Sequence, residues 1–220
     1  RIVDWQRTHG RHDLPWQRTR DAYRIWLSEI MLQQTQVATV IPYYDRFLAA
    51  FPDVSALARA DENAVLAQWS GLGYYRRARH MHAAAHAVVD RHRGTFPRDS
   101  AMLAALPGIG PSTAAAIAAF ASGERGAILD GNVKRVLARH RGIDGDPASP
   151  AVESALWALA RRLVPREAIE AYTQGMMDLG ATLCTRTKPR CGECPVARDC
   201  VARREGRTGE LPGKRSRRAL

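Results

Sequence analysis

Residues 21–37 read DAYRIWLSEIMLQQTQV. Asp21 is a good N-cap, and no Gly or Pro follows before Pro42, so the pattern predicts one helix over the whole stretch. Ala22, Tyr23, Ile25, Trp26, Leu27, Ile30, Met31 and Leu32 cover nearly every face of that helix, as in a buried one. Glu29 stands in its middle, with Gln33 one turn on and Gln34 beside it. A carboxylate on a buried helix loses solvation, so its pKa rises and it can carry a proton at neutral pH. The alternative is a rim Glu paired with an Arg such as Arg24.

Outward from this stretch the chain stays helical. Ala- and Leu-rich segments with 3.6-residue spacing recur at about 44–50, 55–59, 62–69, 76–92, 99–105, 112–122, 132–140, 150–163 and 167–183. None alternates with period two, so an all-α protein of short packed helices is expected. Gly123–Gly126 is the expected passage between two helical lobes, and from about Ala202 the Arg/Gly-rich chain reads as a mobile basic tail. A length of 220 residues with 45% hydrophobic and 25% charged leaves room for one large or two small cores. No apolar run approaches the roughly 18 residues of a membrane helix, and no signal peptide opens the sequence, so a cytoplasmic setting without a membrane partner is expected. The net charge is +11. Seven basic and two acidic residues in the last twenty supply +5, leaving +6 on residues 1–200, so the body itself is basic. That favours a polyanionic partner, nucleic acid ahead of a membrane surface, over a charge kept only for solubility.

All four cysteines, Cys184, Cys191, Cys194 and Cys200, fall within 17 residues as C-x6-C-x2-C-x5-C. Two disulfides would suit a secreted protein. Zinc usually takes paired C-x2-C knuckles, and only one is present. The uneven spacing fits the wider corners of a 4Fe–4S cubane better. The run resembles the C-terminal cluster loop of the endonuclease III superfamily of DNA repair glycosylases. Within it Lys188 and Arg190 make the Thr185–Arg190 segment basic and able to reach a phosphate backbone.

Leu106-Pro107-Gly108-Ile109-Gly110-Pro111-Ser112 joins two helical segments. Gly108 and Gly110 allow close backbone approach, and the helix starting near Ser112 offers free N–H groups to an anion, although the same residues could form a plain helix–helix turn. Beside the cluster loop the segment resembles the helix–hairpin–helix of the same superfamily. Bifunctional members carry a Lys at position 112, which forms a Schiff base; Ser112 has no amine, so the resemblance implies a monofunctional glycosylase. In Asp130-Gly131-Asn132-Val133-Lys134-Arg135-Val136, Asp130 precedes a basic amphipathic helix. It reads as an N-cap, whose helix N–H groups would lower its pKa and keep it ionised. The superfamily carries its catalytic Asp in a similar segment, which implies a pair: Glu29 as the acid and Asp130 as the anion.

From Leu14-Pro15-Trp16 to Cys200 the chain resembles the MutY adenine DNA glycosylases, above all in residues 26–37, in Gly71-Leu72-Gly73-Tyr74-Tyr75 and in Met176-Met177-Asp178-Leu179-Gly180. The resemblance implies a six-helix barrel with the hairpin over 21–125 and a cluster domain over 126–201. Residues 1–20 would pack with the cluster domain, and a base-binding cleft would lie between the lobes. It implies double-stranded DNA with adenine opposite 8-oxoguanine or guanine as the partner of a monomer found with the bacterial nucleoid. Glu29 would protonate adenine N7 and later help activate water, Asp130 would stabilise or capture the C1′ cation, and Asn132 would support the site. Gln34 and Tyr74 would wedge into the duplex, Thr35 and Leu72 would lie near the opposite strand, and Trp16 would line the adenine pocket, although Trp16, Tyr74 and Tyr75 are also natural core aromatics. Full-length members continue into a Nudix-like domain that recognises 8-oxoguanine. The 220 residues would then be a truncated or short form, expected to keep adenine excision. The rivals are a mismatch thymine or uracil glycosylase of the same superfamily, an idle lesion-binding module, and a zinc-finger-like structural protein.

Overall fold

A computed structural model describes residues 1–213, and among them every regular element is a helix. In chain order these are α1 (Ile2–His9), α2 (Ala22–Met31), α3 (Val37–Ala50), α4 (Val54–Arg59), α5 (Glu62–Trp69), α6 (Arg76–His92), α7 (Ser100–Ala104), α8 (Pro111–Ser122), α9 (Gly131–Arg141), α10 (Pro150–Leu163), α11 (Ile169–Asp178) and α12 (Val201–Arg204). They form two compact units. One is His12–Glu124; the other joins Arg1–Arg11 to the chain from Arg125 onward.

The first of these is built on α2. Asp21 caps it, its carboxylate accepting the amides of Tyr23 (2.8 Å) and Arg24 (3.3 Å). Trp26, Leu27 and Met31 are wholly buried, with Phe96 tilted against Trp26 at 5.1 Å. Truncating Leu27 to Ala here should cost roughly 2–5 kcal/mol. The alanines of α8 let it lie close against α2, while α6 packs on α4 and α5. The helix does not run on to Val37 as its residues predict. It stops at Met31, and Gln34 turns into the left-handed region (φ 59°) before α3 begins. The cause lies 40-odd residues away. Arg77, in the first turn of α6, takes the carbonyls of Ile30, Met31 and Gln33 (2.9, 2.8 and 2.6 Å), all three of which a helix running on to Val37 would have used. Pro42 is carried inside α3 instead of ending a helix.

In the other unit α1 lies on α11, and the two are fastened by a buried ion pair. Asp178, with its side chain 1% exposed, accepts from Arg11 Nε (2.6 Å), from the Arg11 amide (2.9 Å) and from Gln174 (2.8 Å). Removing Arg11 would strand a buried charge, at about 3–5 kcal/mol. The expected N-terminal segment 1–20 is therefore split. Residues 1–11 belong with the cluster-bearing part, whereas Trp16 is buried edge-on to Tyr44 at 5.4 Å in the His12–Glu124 unit. The expected tail is also shorter. Ala202 and Leu211 are buried, and Arg139 Nε donates to the Leu211 carbonyl at 2.8 Å, so the chain is packed through residue 211. Residues 214–220 of that expected tail lie outside the described residues.

Candidate active site

Glu29 lies on α2 between fully buried Ser28 and Ile30 and is itself half-buried. One turn later come the residues expected to enter DNA. Gln34 is exposed at φ 59°, and Tyr74 is 62% exposed at φ 50°. Left-handed backbone costs a residue with a side chain on the order of 1–2 kcal/mol, so something must hold both. That something is again Arg77. Its other terminal nitrogen donates to Thr35 Oγ1 (3.1 Å) and to the carbonyls of Leu72 (3.3 Å) and Gly73 (3.2 Å). Its guanidinium also lies over the rings of Trp69 and Tyr74. Thr35 is half-buried, and Leu72 is buried in the core of its unit, as is Trp16. Of the three aromatic candidates, only Tyr74 and Tyr75 reach solvent.

The hairpin is anchored by buried Leu106 and Ile109 on either side of Gly108. Gly108 has φ 76°, and a Cβ there would lie 2.6 Å from the Cβ of His80, so only glycine fits. Gly110 is the N-cap of α8, Pro111 its first residue, and Ser112 follows, half-buried. The first amides of a 12-residue helix therefore open at this corner.

In the unit that holds the cysteines, Asp130 caps α9. One oxygen, Oδ1, accepts both the Asn132 amide (2.7 Å) and the Val133 amide (2.8 Å). The expectation of a depressed pKa is overturned. Burial pushes this carboxyl above its usual range, and the Val133 and Asn132 amides and the charge of Arg135 pull it down without cancelling that. The sequence announces the amides of a cap but not the desolvation around it. Asn132 accepts from Arg135 Nη2 (2.9 Å), and Gly180 rests on Asn132 so closely that a Cβ would lie 2.6 Å from the Asn132 Cβ.

Arg135 also donates to the carbonyls of Gly180 and Cys184 (2.7 Å each), and Arg139, one turn on and 3% exposed, donates to those of Thr185 (2.6 Å) and Arg186 (3.0 Å). Neither arginine stands out in the sequence, where both read as part of a basic helix face. They fix the start of the cysteine loop. Cys184, Cys191, Cys194 and Cys200 line one pocket together with Arg139, Leu183 and Ala197. Among the described residues no three His, Cys, Asp or Glu side chains close on a point where a single ion could sit. Four thiols around one pocket, with the uneven C-x6-C-x2-C-x5-C spacing, suit the corners of a multi-iron cluster. Burial, then the neighbouring thiols, raise the pKa of Cys191, so a cluster must displace protons to form. Lys188 is exposed at φ 49°, and Arg190, also exposed, is held by Glu193 (3.1 Å) and the Thr182 carbonyl (3.1 Å).

A glycine hairpin opening a helix, a capped Asp on a following helix and a four-thiol cluster loop define a DNA repair protein of the helix–hairpin–helix class. Residues 27–162 match the HhH-GPD superfamily of base excision DNA repair proteins, and the chain belongs to it. Residues 184–200 match the iron–sulfur binding domain of endonuclease III, so the cofactor is a 4Fe–4S cluster, and the four cysteines within that match are consistent with it. The chain is 40% identical over its whole length to the adenine DNA glycosylase of Buchnera aphidicola subsp. Acyrthosiphon pisum, 63% of which it covers. It is 45% identical over 92% of its length to the adenine DNA glycosylase of Homo sapiens, covering 38% of that protein. It thus spans less than two thirds of these relatives. A thermostable thymine-DNA glycosylase of known structure superposes with a TM-score of 0.83 at 30% identity, over 93% of this chain and 94% of that one. Among the described residues no helix is long and apolar enough to cross a membrane.

Proposed function

We propose that the chain is the catalytic part of a monofunctional DNA glycosylase that removes adenine mispaired with 8-oxoguanine or guanine, acting as a monomer on double-stranded DNA. The observation that carries this is the difference in setting between two carboxylates: Glu29 half-buried on an apolar helix, and Asp130 accepting two amides through Oδ1 at a helix start. In this reading Glu29 protonates N7 of an extruded adenine, the bond from C1′ to the base breaks, and Asp130 stabilises or captures the C1′ cation until Glu29 helps water add. Asn132, tied to Arg135, keeps the Asp130 corner in register. Ser112 brings no amine to the hairpin, so the product is an intact strand with an abasic site. Gln34 and Tyr74 fill the gap left by the base, Thr35 serves the opposite strand with Leu72 backing that loop from the core, and Trp16 supports the adenine pocket from the core. Gly108, Gly110 and Ser112 meet one phosphate, and Lys188 and Arg190 another. Cys184, Cys191, Cys194 and Cys200 would hold the 4Fe–4S cluster, which would fix the loop carrying Lys188 and Arg190 for that second contact.

The identities of 40% and 45% to adenine DNA glycosylases favour adenine as the substrate. The likeness to a thymine-DNA glycosylase keeps mismatched thymine as the second reading. A panel of duplexes with A opposite 8-oxoguanine, A opposite G, T opposite G and U opposite G, treated with alkali after incubation, separates them. Strand breaks at A are expected. Breaks at T alone would overturn the adenine reading, and breaks without alkali would overturn the monofunctional one.

A further inference from the structure

We propose that Arg77 is a positioning residue whose guanidinium fastens the 32–36 turn to the 70–75 loop, so that Gln34 and Tyr74 meet DNA as one preset wedge. The proposal rests on the reading above that these two residues enter the duplex. Five of the groups Arg77 bonds are main-chain carbonyls, three ending α2 or following it and two in the loop before α6; the sixth is Thr35 Oγ1. Two segments distant in sequence thus share one set of donors, and the donors sit on the first turn of a 17-residue helix. The tips themselves contribute little packing. Gln34 and Tyr74 are exposed, and both are in left-handed backbone that needs outside support. Tyr74 stacks under the same guanidinium, at 5.6 Å, so its ring as well as its backbone is set by Arg77. The two terminal nitrogens of a planar guanidinium, three bonds to each, suit this cradle. A lysine, with a compact ammonium, can satisfy only part of it.

The test has a DNA-free arm. In wild-type protein the amides of Gln33, Thr35 and Leu72, each bonded to a nearby carbonyl, should exchange with deuterium as one unit, sharing one denaturant dependence. Arg77→Lys should speed all three by about tenfold or more while leaving core amides of α8 unchanged. Independent exchange of the two segments in wild type would overturn the proposal, even if the variant failed to fold. The second arm uses single-turnover excision from a duplex with adenine opposite 8-oxoguanine. Arg77→Lys should slow it roughly 100-fold, as expected of reacting groups misplaced by about 1 Å. Combined with Gln34→Ala it should cost no more than the larger single effect, because both act through the same wedge. A core truncation, Leu27→Ala, should instead add to Gln34→Ala. Additivity of Arg77→Lys with Gln34→Ala would reduce Arg77 to a stability residue. A wild type that excises nothing from any duplex would sink the functional reading, and the exchange result would still stand or fall separately.

Discussion

At Asp130 two opposed effects act on one carboxyl, and their balance has consequences that can be measured. Burial raises its pKa, while two amides and Arg135 lower it. A carboxyl whose folded pKa lies above its unfolded value loses stability as pH climbs from the unfolded pKa through the folded one, because the unfolded chain ionises more easily. Below the unfolded pKa that loss vanishes, and it grows with pH until the folded pKa is passed. Asp130→Asn keeps an oxygen for the same two amides, so it should melt higher than wild type at neutral pH, by about 2–4 °C for each kcal/mol regained, with no difference in acid. Thermal melts across pH check this; a lower melting point at pH 7 would mean that the amides and Arg135 win. The same variant should excise no adenine. Glu29→Gln is the companion case. It removes the proton donor without changing shape, so excision should fall about 10²–10⁴-fold while affinity for the mismatch stays near wild type. The candidate pair came from the family resemblance, since by themselves Glu29 reads equally as a rim carboxylate and Asp130 as an ordinary N-cap. The sign of the Asp130 shift was not legible in the sequence, because desolvation depends on what else packs there.

On the scale of elements, the sequence pattern located most helices to within a residue or two, including Glu62–Trp69, Arg76–His92 and Pro150–Leu163. It failed where one element is cut or extended by another. The run 21–37 carries no breaker of its own, and only Arg77, arriving from α6, draws away the carbonyls that would have continued α2. In the same way 167–183 reads as one helix but widens into a π turn at Leu179–Leu183, just before Cys184. That turn and α9 together deliver the first cysteine, through Arg135 and Arg139. The cluster loop has few apolar residues of its own, so its order should depend on the metal. Cys194→Ser should lose the visible absorbance of the cluster, expose residues 185–200 to protease, and weaken DNA affinity through Lys188. Unchanged proteolysis and affinity in a colourless protein would show that the arginines alone hold the loop.

Across the whole molecule the relevant quantity is charge. The net +11 is spread over the chain, with +6 on the first 200 residues, so attraction to DNA should not depend on one arm. Basic groups that neutralise phosphates release condensed cations, and the logarithm of affinity falls by about 0.9 per phosphate for each tenfold rise in salt. Three exposed cations, Lys188 and Arg190 on the cysteine loop and Arg76 at the start of α6, imply about three neutralised phosphates, hence a log–log slope of about −2.7 or steeper. Matched and mismatched duplexes should share this slope, because phosphate contacts carry no sequence information. The preference for the mismatched adenine should then come from extrusion and the Glu29 pocket, and remain constant as salt rises. Fluorescence titrations of both duplexes with the Glu29→Gln protein, over a range of sodium chloride concentrations, measure both quantities at once. Parallel lines of steep slope are the expected result. Lines that converge at high salt would mean that recognition of the mismatch is itself electrostatic, and would move the specificity from the α2 helix to the basic surface.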